Sequence, residues 1–208
     1  MAPQDHIVFV VDDDRRLCEA LSDLLSAVDF HVVTFGSAAE YIAYPKPNVP
    51  ACLILDLALP DIDGLELQSR IGDTHHPSIV FLTGRGDIPS SVRAMKAGAV
   101  DFLTKPFRDE ELIRAVRVAI AQDREARCKR GKLDELKQRL SRLTPREREV
   151  LPLVVSGLLN KQAAARLTIS EVTLQIHRGK IMKKMKAGSL AELVRMAETL
   201  QINALDGP

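Results

Sequence analysis

Apolar positions along the chain follow two different rhythms. In the first, short unbroken apolar runs alternate with segments of helical spacing. HIVFVV (6–11), CLILDL (52–57) and SIVFLTG (78–84) are continuous runs, the pattern of strands covered on both faces. FHVVTF (30–35) and VDFLT (100–104) are two further strands. A helix is predicted over 15–27, where Leu17, Leu21, Leu24 and Leu25, and then Val28, recur at helical spacing. Ser37 caps a helix through Tyr44, and Pro45, Pro47 and Pro50 make a loop. Further helices are predicted near 64–71, near 88–97 and from about 109. Strands alternating with helices in this way predict an α/β domain with a five-stranded, parallel, doubly wound sheet. Ligands of such sheets bind outside the carboxyl ends of the strands.

From residue 110 onward the chain reads as helix throughout. Ile113, Val116 and Ile120 continue the helix that begins near 109. Leu133, Leu136, Leu140 and Leu143 follow a 3-4-3 spacing that suits a coiled-coil seam, although Gly131 weakens it and a solvated charged helix fits equally. Residues 123–143 are thus expected to form a helical linker. Thr144-Pro145-Arg146-Glu147 is a capping box with proline at the first helical position. The helix it opens runs to Gly157 and contains Pro152, which should remove a backbone bond and bend it. Asn160 opens the short helix NKQAAARL, and Ser170 caps the next, SEVTLQIHRGKIMKKM. A last helix, SLAELVRMAETLQ, follows Gly188. The turn from Leu167 to Ile169 makes the middle pair a helix-turn-helix, so residues 144–208 are expected to be an all-α domain. On the second helix of that pair, Leu174, His177, Ile181 and Met185 face the core. Gln175, Ile176, Gly179 and Lys183 face outward.

Charge sharpens this division. The chain carries a net +1, but residues 1–122 hold 11 Lys+Arg against 18 Asp+Glu, whereas 123–143 hold 8 against 4 and 144–208 hold 10 against 6. An acidic first part and a basic second part imply different partners, with a polyanion for the second. Five basic residues and no acid lie between 178 and 186. The three cysteines are widely spaced, which fits reduced thiols in a cytoplasmic protein. The apolar runs are too short to span a membrane, and the N-terminus lacks a signal-peptide pattern.

Chemistry gathers at the predicted strand ends. Asp12 and Asp13 end the first strand, Asp56 the third and Thr83 the fourth, and Lys105 follows the fifth. Three converging carboxylates repel one another and require positive charge. Hard oxygen ligands suit Mg²⁺, with Lys105 as a fixed second charge. His75 and His76 read as a loop pair, and His177 as a packed or phosphate-contacting histidine.

VVDDD, LILDLALPDIDG, FLTGRGD and DFLTKPF, in that order, resemble the receiver domain of two-component response regulators over roughly residues 5–122. The resemblance implies a flavodoxin-like fold with Asp56 as phosphoacceptor. It implies Mg²⁺ (or Mn²⁺) held by Asp13 directly, Asp12 through water, Asp56 and the main-chain carbonyl of Ala58. It also implies phosphoryl oxygens bound by Thr83 and Lys105, and an aromatic switch at Phe102. The donor would be a phosphohistidine of a sensor histidine kinase. Such a receiver catalyses its own phosphorylation and dephosphorylation and is not a turnover enzyme. LTPREREVL, GLLNKQAAARLTIS and the HR…I..KM pattern resemble the LuxR/NarL-type DNA-binding domain over about 140–202. With GDIP, the whole chain resembles the FixJ-type response regulators. That resemblance implies DNA contacts by Lys161, Thr173, Gln175, Ile176, Arg178, Gly179, Lys180, Lys183 and Lys184. It implies promoter DNA and RNA polymerase as partners, and a homodimer on phosphorylation. It points to transcriptional activation by a cytoplasmic protein that is nucleoid-associated when bound to DNA, with no membrane involved. Gln175 stands where the family commonly has lysine, Gly179 is bare at another common contact position, and Pro152 interrupts a helix. Gln175 is expected to read adenine, and Lys183 and Lys184 to meet phosphates. Leu190, Leu193, Val194, Met196 and Ala197 are expected to pair two output domains. The alternatives are a phosphate sink or protein-interaction module with an inactive DNA domain, and a hydrolase with an aspartyl nucleophile. The hydrolase would use the Asp12–Asp14 spacing.

Overall fold

A computed structural model describes residues 5–71, 76–84 and 88–202. The chain divides into two compact units, Met1–Cys128 and Lys129–Pro208.

The first unit is a parallel sheet of five strands in the order β2-β1-β3-β4-β5. The strands are β1 (Ile7–Val11), β2 (Val32–Phe35), β3 (Ala51–Asp56), β4 (Ser78–Thr83) and β5 (Asp101–Thr104). The central three are buried along nearly their whole length, as their unbroken apolar runs predict. Successive residues point to opposite faces. Phe9, Leu53, Leu55, Ile79 and Phe81 pack on one face, against Ala38 and Tyr41 of α2 (Ala38–Ala43), Leu67 of α3 (Gly64–Ile71) and Ala94 of α4 (Ile88–Lys96). Val8, Val10, Cys52, Ile54, Val80 and Leu82 pack on the other, against Leu21 and Leu25 of α1 (Arg15–Ser26) and Leu112, Val116 and Ala119 of α5 (Asp109–Ser141). The doubly wound expectation is met. β2 begins at Val32 rather than at Phe30, because Asp29 takes a left-handed φ of 67° and the Phe30 N–H turns back to the Leu25 carbonyl at the end of α1.

The expected 123–143 linker is divided between the units. α5 runs unbroken through Gly131. Asp123 is only 2% exposed, accepts a bond from the Ala51 N–H at 2.8 Å and pairs with Arg127 at 2.6 Å. Arg127 in turn donates to Asn48 at 2.8 Å. Residues 123–128 therefore belong to the first unit, tied to the start of β3.

In the second unit, Leu140 and Leu143 of the leucine series pack into a core with α6 (Pro145–Val155), α7 (Asn160–Arg166), α8 (Glu171–Met185) and α9 (Leu190–Thr199). The seam reading fails for this pair, since their apolar faces are taken by their own unit. Thr144 caps α6 as predicted, and both bonds of the capping box are present. Pro152 sits inside α6, and the helix runs on past it to Val155. α7 and α8 are joined through Leu167, Thr168 (φ 54°) and Ile169, with Ser170 capping α8. Leu193 and Ala197 of α9 are buried, and Leu190 and Met196 pack against the same core. Of the apolar patch expected to pair two output domains, Leu193 and Ala197 are committed to the core of their own unit, while Leu190, Val194 and Met196 remain half-buried.

Candidate functional site

The strand register brings the chemistry to one edge. Val11 pairs with Leu55, Asp56 with Leu82, and Thr83 with Thr104, so β1, β3, β4 and β5 end together. Asp12, Asp13 and Asp56 each bring a carboxylate oxygen within 4.8 Å of the others. Asp12 and Asp56 are buried and Asp13 is exposed. The Lys105 ammonium donates to Asp12 at 2.6 Å and to Asp56 at 3.2 Å. Burial pushes the Asp12 carboxyl above its ordinary range, outweighing Lys105 and the Asp14 N–H. The Lys105 ammonium is pulled down by burial, yet Asp12 and Asp56 more than reverse this and hold it above its usual range. Here the Lys105 ammonium faces three carboxylates, and further positive charge would relieve their mutual repulsion. The donor set is all oxygen, partly open to water, and fits a hard divalent cation. Thr83, 2% exposed, ends β4 beside this group, and the Lys105 N–H binds the Thr83 carbonyl at 2.7 Å.

Phe102 lies in β5, half-buried, with its ring centroid 6.3 Å from that of Phe81. Ala58 sits in the loop after β3, and its N–H reaches Asp56 at 3.4 Å. That loop is closed by Gly64, whose N–H donates to the Leu57 carbonyl at 2.9 Å. A Cβ on Gly64 would come 2.5 Å from the Asp56 carbonyl oxygen and 3.0 Å from the Leu57 Cα, so only glycine fits. Asp61 anchors the same loop by accepting from the Ala38 and Ala39 N–H groups at the start of α2. Neither role is displayed by local pattern: the Asp61 partners lie 22 and 23 residues away, and the Gly64 approach to Asp56 and Leu57 exists only once the loop has folded back, its local signal being a glycine that closes a proline- and aspartate-rich loop. Asp14 is not part of the pocket. Its side chain accepts from the Arg16 and Leu17 N–H groups as the cap of α1, which removes the second acid of the hydrolase pattern.

The second unit presents α8. Gln175, Ile176, Gly179, Lys180 and Lys183 are exposed, as is Lys161 on α7. Thr173 is half-buried and shares a hydroxyl bond of 2.8 Å with Ser170. Arg178 is half-buried and donates to Asn160 at 3.3 Å, a tie between α7 and α8. Lys184 departs from expectation. Its ammonium lies 2.6 Å from Glu147, which is 2% exposed, so it faces α6 and is engaged there instead of projecting toward a phosphate. Burial works to raise the Glu147 carboxyl, but Lys184 and the Thr144 N–H together hold it below its usual range. His177 is half-buried on the inner side of α8. Among the described residues, the three aspartates are the one cluster of three or more ligating side chains, so His177 has no metal partners there. The His76 ring lies 2.9 Å from the Pro77 carbonyl; His75, and Gly86 and Asp87 of GDIP, lie outside the described residues.

Residues 8–117 match the response regulator receiver domain, and residues 141–197 match the bacterial regulatory proteins of the luxR family. The chain is 50% identical to nodulation protein W of Bradyrhizobium diazoefficiens over 95% of its own length and 88% of that protein. It is 42% identical to the transcriptional regulatory protein FixJ of Rhizobium meliloti, over 93% of this chain and 95% of that one. Among solved structures it is similar to the response regulator StyR, with a TM-score of 0.81, 44% identity, and coverage of 93% of this chain and 98% of that one.

Proposed function

The chain belongs to the two-component response regulators that join a receiver domain to a luxR-family DNA-binding domain, and from that premise we propose that Asp56 is its phosphoacceptor and α8 its reading helix. The observation that carries this reading is the buried carboxylate of Asp56 at the end of β3, 3.2 Å from the one ammonium it shares with Asp12. A buried acid in that position is costly unless paired.

The proposed donor is a phosphohistidine of a sensor histidine kinase. An Asp56 carboxylate oxygen attacks phosphorus, the P–N bond breaks, and an acyl phosphate forms on Asp56. The transition state spreads charge over three equatorial oxygens, so positioning and neutralisation supply the rate. Lys105 gives one fixed positive charge, and the Thr83 hydroxyl gives a hydrogen-bond donor. Asp12, Asp13, Asp56 and the Ala58 carbonyl would hold Mg²⁺ (or Mn²⁺), which supplies the remaining positive charge when bound. Esterifying Asp56 weakens its hold on Lys105, freeing the ammonium for the phosphoryl oxygens. Thr83 is drawn toward the same oxygens, and Phe102 moves into the space vacated. The receiver surface then altered, α4, β5 and the first turns of α5, would form a homodimer that brings two α8 helices to promoter DNA and engages RNA polymerase, activating transcription. Family members are DNA-binding regulators and not classical enzymes, so a single phosphoryl group per chain is expected. Among the described residues no helix is long and apolar enough to cross a membrane.

Incubation with a small acyl phosphate and Mg²⁺, followed by intact-mass analysis, tests the assignment. One phosphoryl group should appear, and none on Asp56→Asn. Stoichiometric labelling of that variant would refute it, and sustained turnover of a phosphomonoester would support a hydrolase instead.

A further inference from the structure

The outward face of α8 carries two features that no contact among the described residues explains. Val172 is 68% exposed and Ile176 is 53% exposed, although both are β-branched hydrophobic residues. Four residues apart on a helix, they are neighbours on one face. Gly179 follows on the same face. It is exposed, and a Cβ built there would meet nothing within 4 Å. A glycine inside a helix is destabilising relative to alanine, and Gly179 is absent from the positive-φ positions that would require it. Lys183 comes one turn later, exposed. From its N-terminus the face therefore reads apolar, apolar, bare, basic, with the polar Gln175 beside it. The opposite side of α8 is occupied by Leu174, Ile181 and Met185 in the core.

Resting on the reading of α8 as a DNA-reading helix, we infer that Val172 and Ile176 recognise the 5-methyl groups of two thymines, and that bare Gly179 lets the helix seat closely against them. Thymine is the one base that presents an apolar group in the major groove. Against any other base edge, these side chains would cover a donor or acceptor without satisfying it. Helix N-terminal residues are the ones that reach base edges in a helix-turn-helix, and Val172 is the second residue of α8. Four residues rise about 6 Å along a helix, and bases on one strand are spaced by about 3.4 Å. The two methyls thus lie one or two base steps apart. Gln175, able to pair bidentately with adenine, is compatible with the same A·T-rich half-site.

The full-length chain, phosphorylated with a small acyl phosphate and Mg²⁺, is first used to select bound duplexes from a random pool. Deoxyuridine, which lacks only the methyl, then replaces each thymine of the selected half-site in turn. Two positions should each lose about fourfold in affinity, the value of one buried methyl-sized group. Val172→Ala should abolish the loss at one position and Ile176→Ala at the other. Gly179→Val should weaken binding to the selected site more than binding to random DNA. Losses at no position, or losses that persist unchanged in both variants, overturn the inference while leaving DNA binding intact. Failure to select any sequence overturns the DNA-binding reading itself, and this inference with it. If the exposed pair instead docks a protein, the first of these results is obtained.

Discussion

Replacing Lys184 by methionine separates two roles for this residue, a bond inside the domain and a contact to DNA. Methionine keeps the aliphatic stem, which packs, and removes the ammonium. Glu147 would then be left ionised while only 2% exposed, with Thr144, whose N–H lies at 2.8 Å, in place of any cation. Removing one member of a fully buried pair costs about 3–5 kcal/mol. The Lys184 side chain is 33% exposed, so solvent screens the pair, and the expected loss falls to about 2–3 kcal/mol. Lys183→Met, on an exposed neighbour, should change stability by less than about 0.5 kcal/mol. Urea unfolding of the full chain, followed by circular dichroism, should show the helical second unit melting earlier in Lys184→Met with an unchanged slope. Adding Glu147→Gln should recover most of the loss, because a neutral amide no longer leaves a buried charge. The pH dependence has a definite sign. Glu147 is held below its ordinary value of 4.5 in the folded chain, so its contribution is present above that value and is lost as pH falls through the folded one. In Lys184→Met the acid is unpaired, and protonation relieves it. The gap between wild type and variant should therefore narrow on acidification. In DNA titrations at several salt concentrations, Lys183→Met should lower the log–log slope by about 0.9, and Lys184→Met should leave it unchanged. Wild-type stability in Lys184→Met together with a reduced salt slope would refute the inward placement and restore the phosphate contact.

Gly64→Ala should destabilise the receiver unit by about 1–3 kcal/mol through overpacking against the Asp56 carbonyl, and slow phosphorylation, measured by urea unfolding and by the labelling rate. Gly179→Ala should do the reverse to the second unit, raising its stability by about 1 kcal/mol in the same unfolding assay, because the helix gains propensity and the Cβ meets open space. Asp123→Ala should cost about 1–3 kcal/mol by leaving the Ala51 N–H without this acceptor, and amide exchange at Ala51 should accelerate.

The receiver was legible because its signals are local. Short apolar runs such as LILDL, bounded by turn residues, point to strands covered on both faces, and residues that end such strands in a parallel sheet share an edge. Asp12, Asp13, Asp56, Thr83 and Lys105 followed from that rule and from the family resemblance. Caps were legible for the same reason, since Ser37, Thr144 and Ser170 act within three residues of themselves. Lys184 was not legible as a buried partner. Its place at the border between the two faces of α8 allows either direction, and only Glu147, 37 residues away, decides. Leu193 and Ala197 show the same limit: helical spacing reveals that a face is apolar but not whose core it joins. Gly64 is fixed by a tertiary approach to the Asp56 backbone, which the sequence of its own helix does not display.

The central claim is that a phosphoryl group on Asp56 controls DNA binding by the second unit. Its most direct measurement is the affinity of the full chain for a selected duplex, with and without a small acyl phosphate, in the presence of Mg²⁺. Wild type should bind more tightly and more cooperatively once phosphorylated, and Asp56→Asn should keep the unphosphorylated affinity under both conditions. Equal affinity of the phosphorylated and free wild-type chains, or an increase that survives in Asp56→Asn, would contradict it.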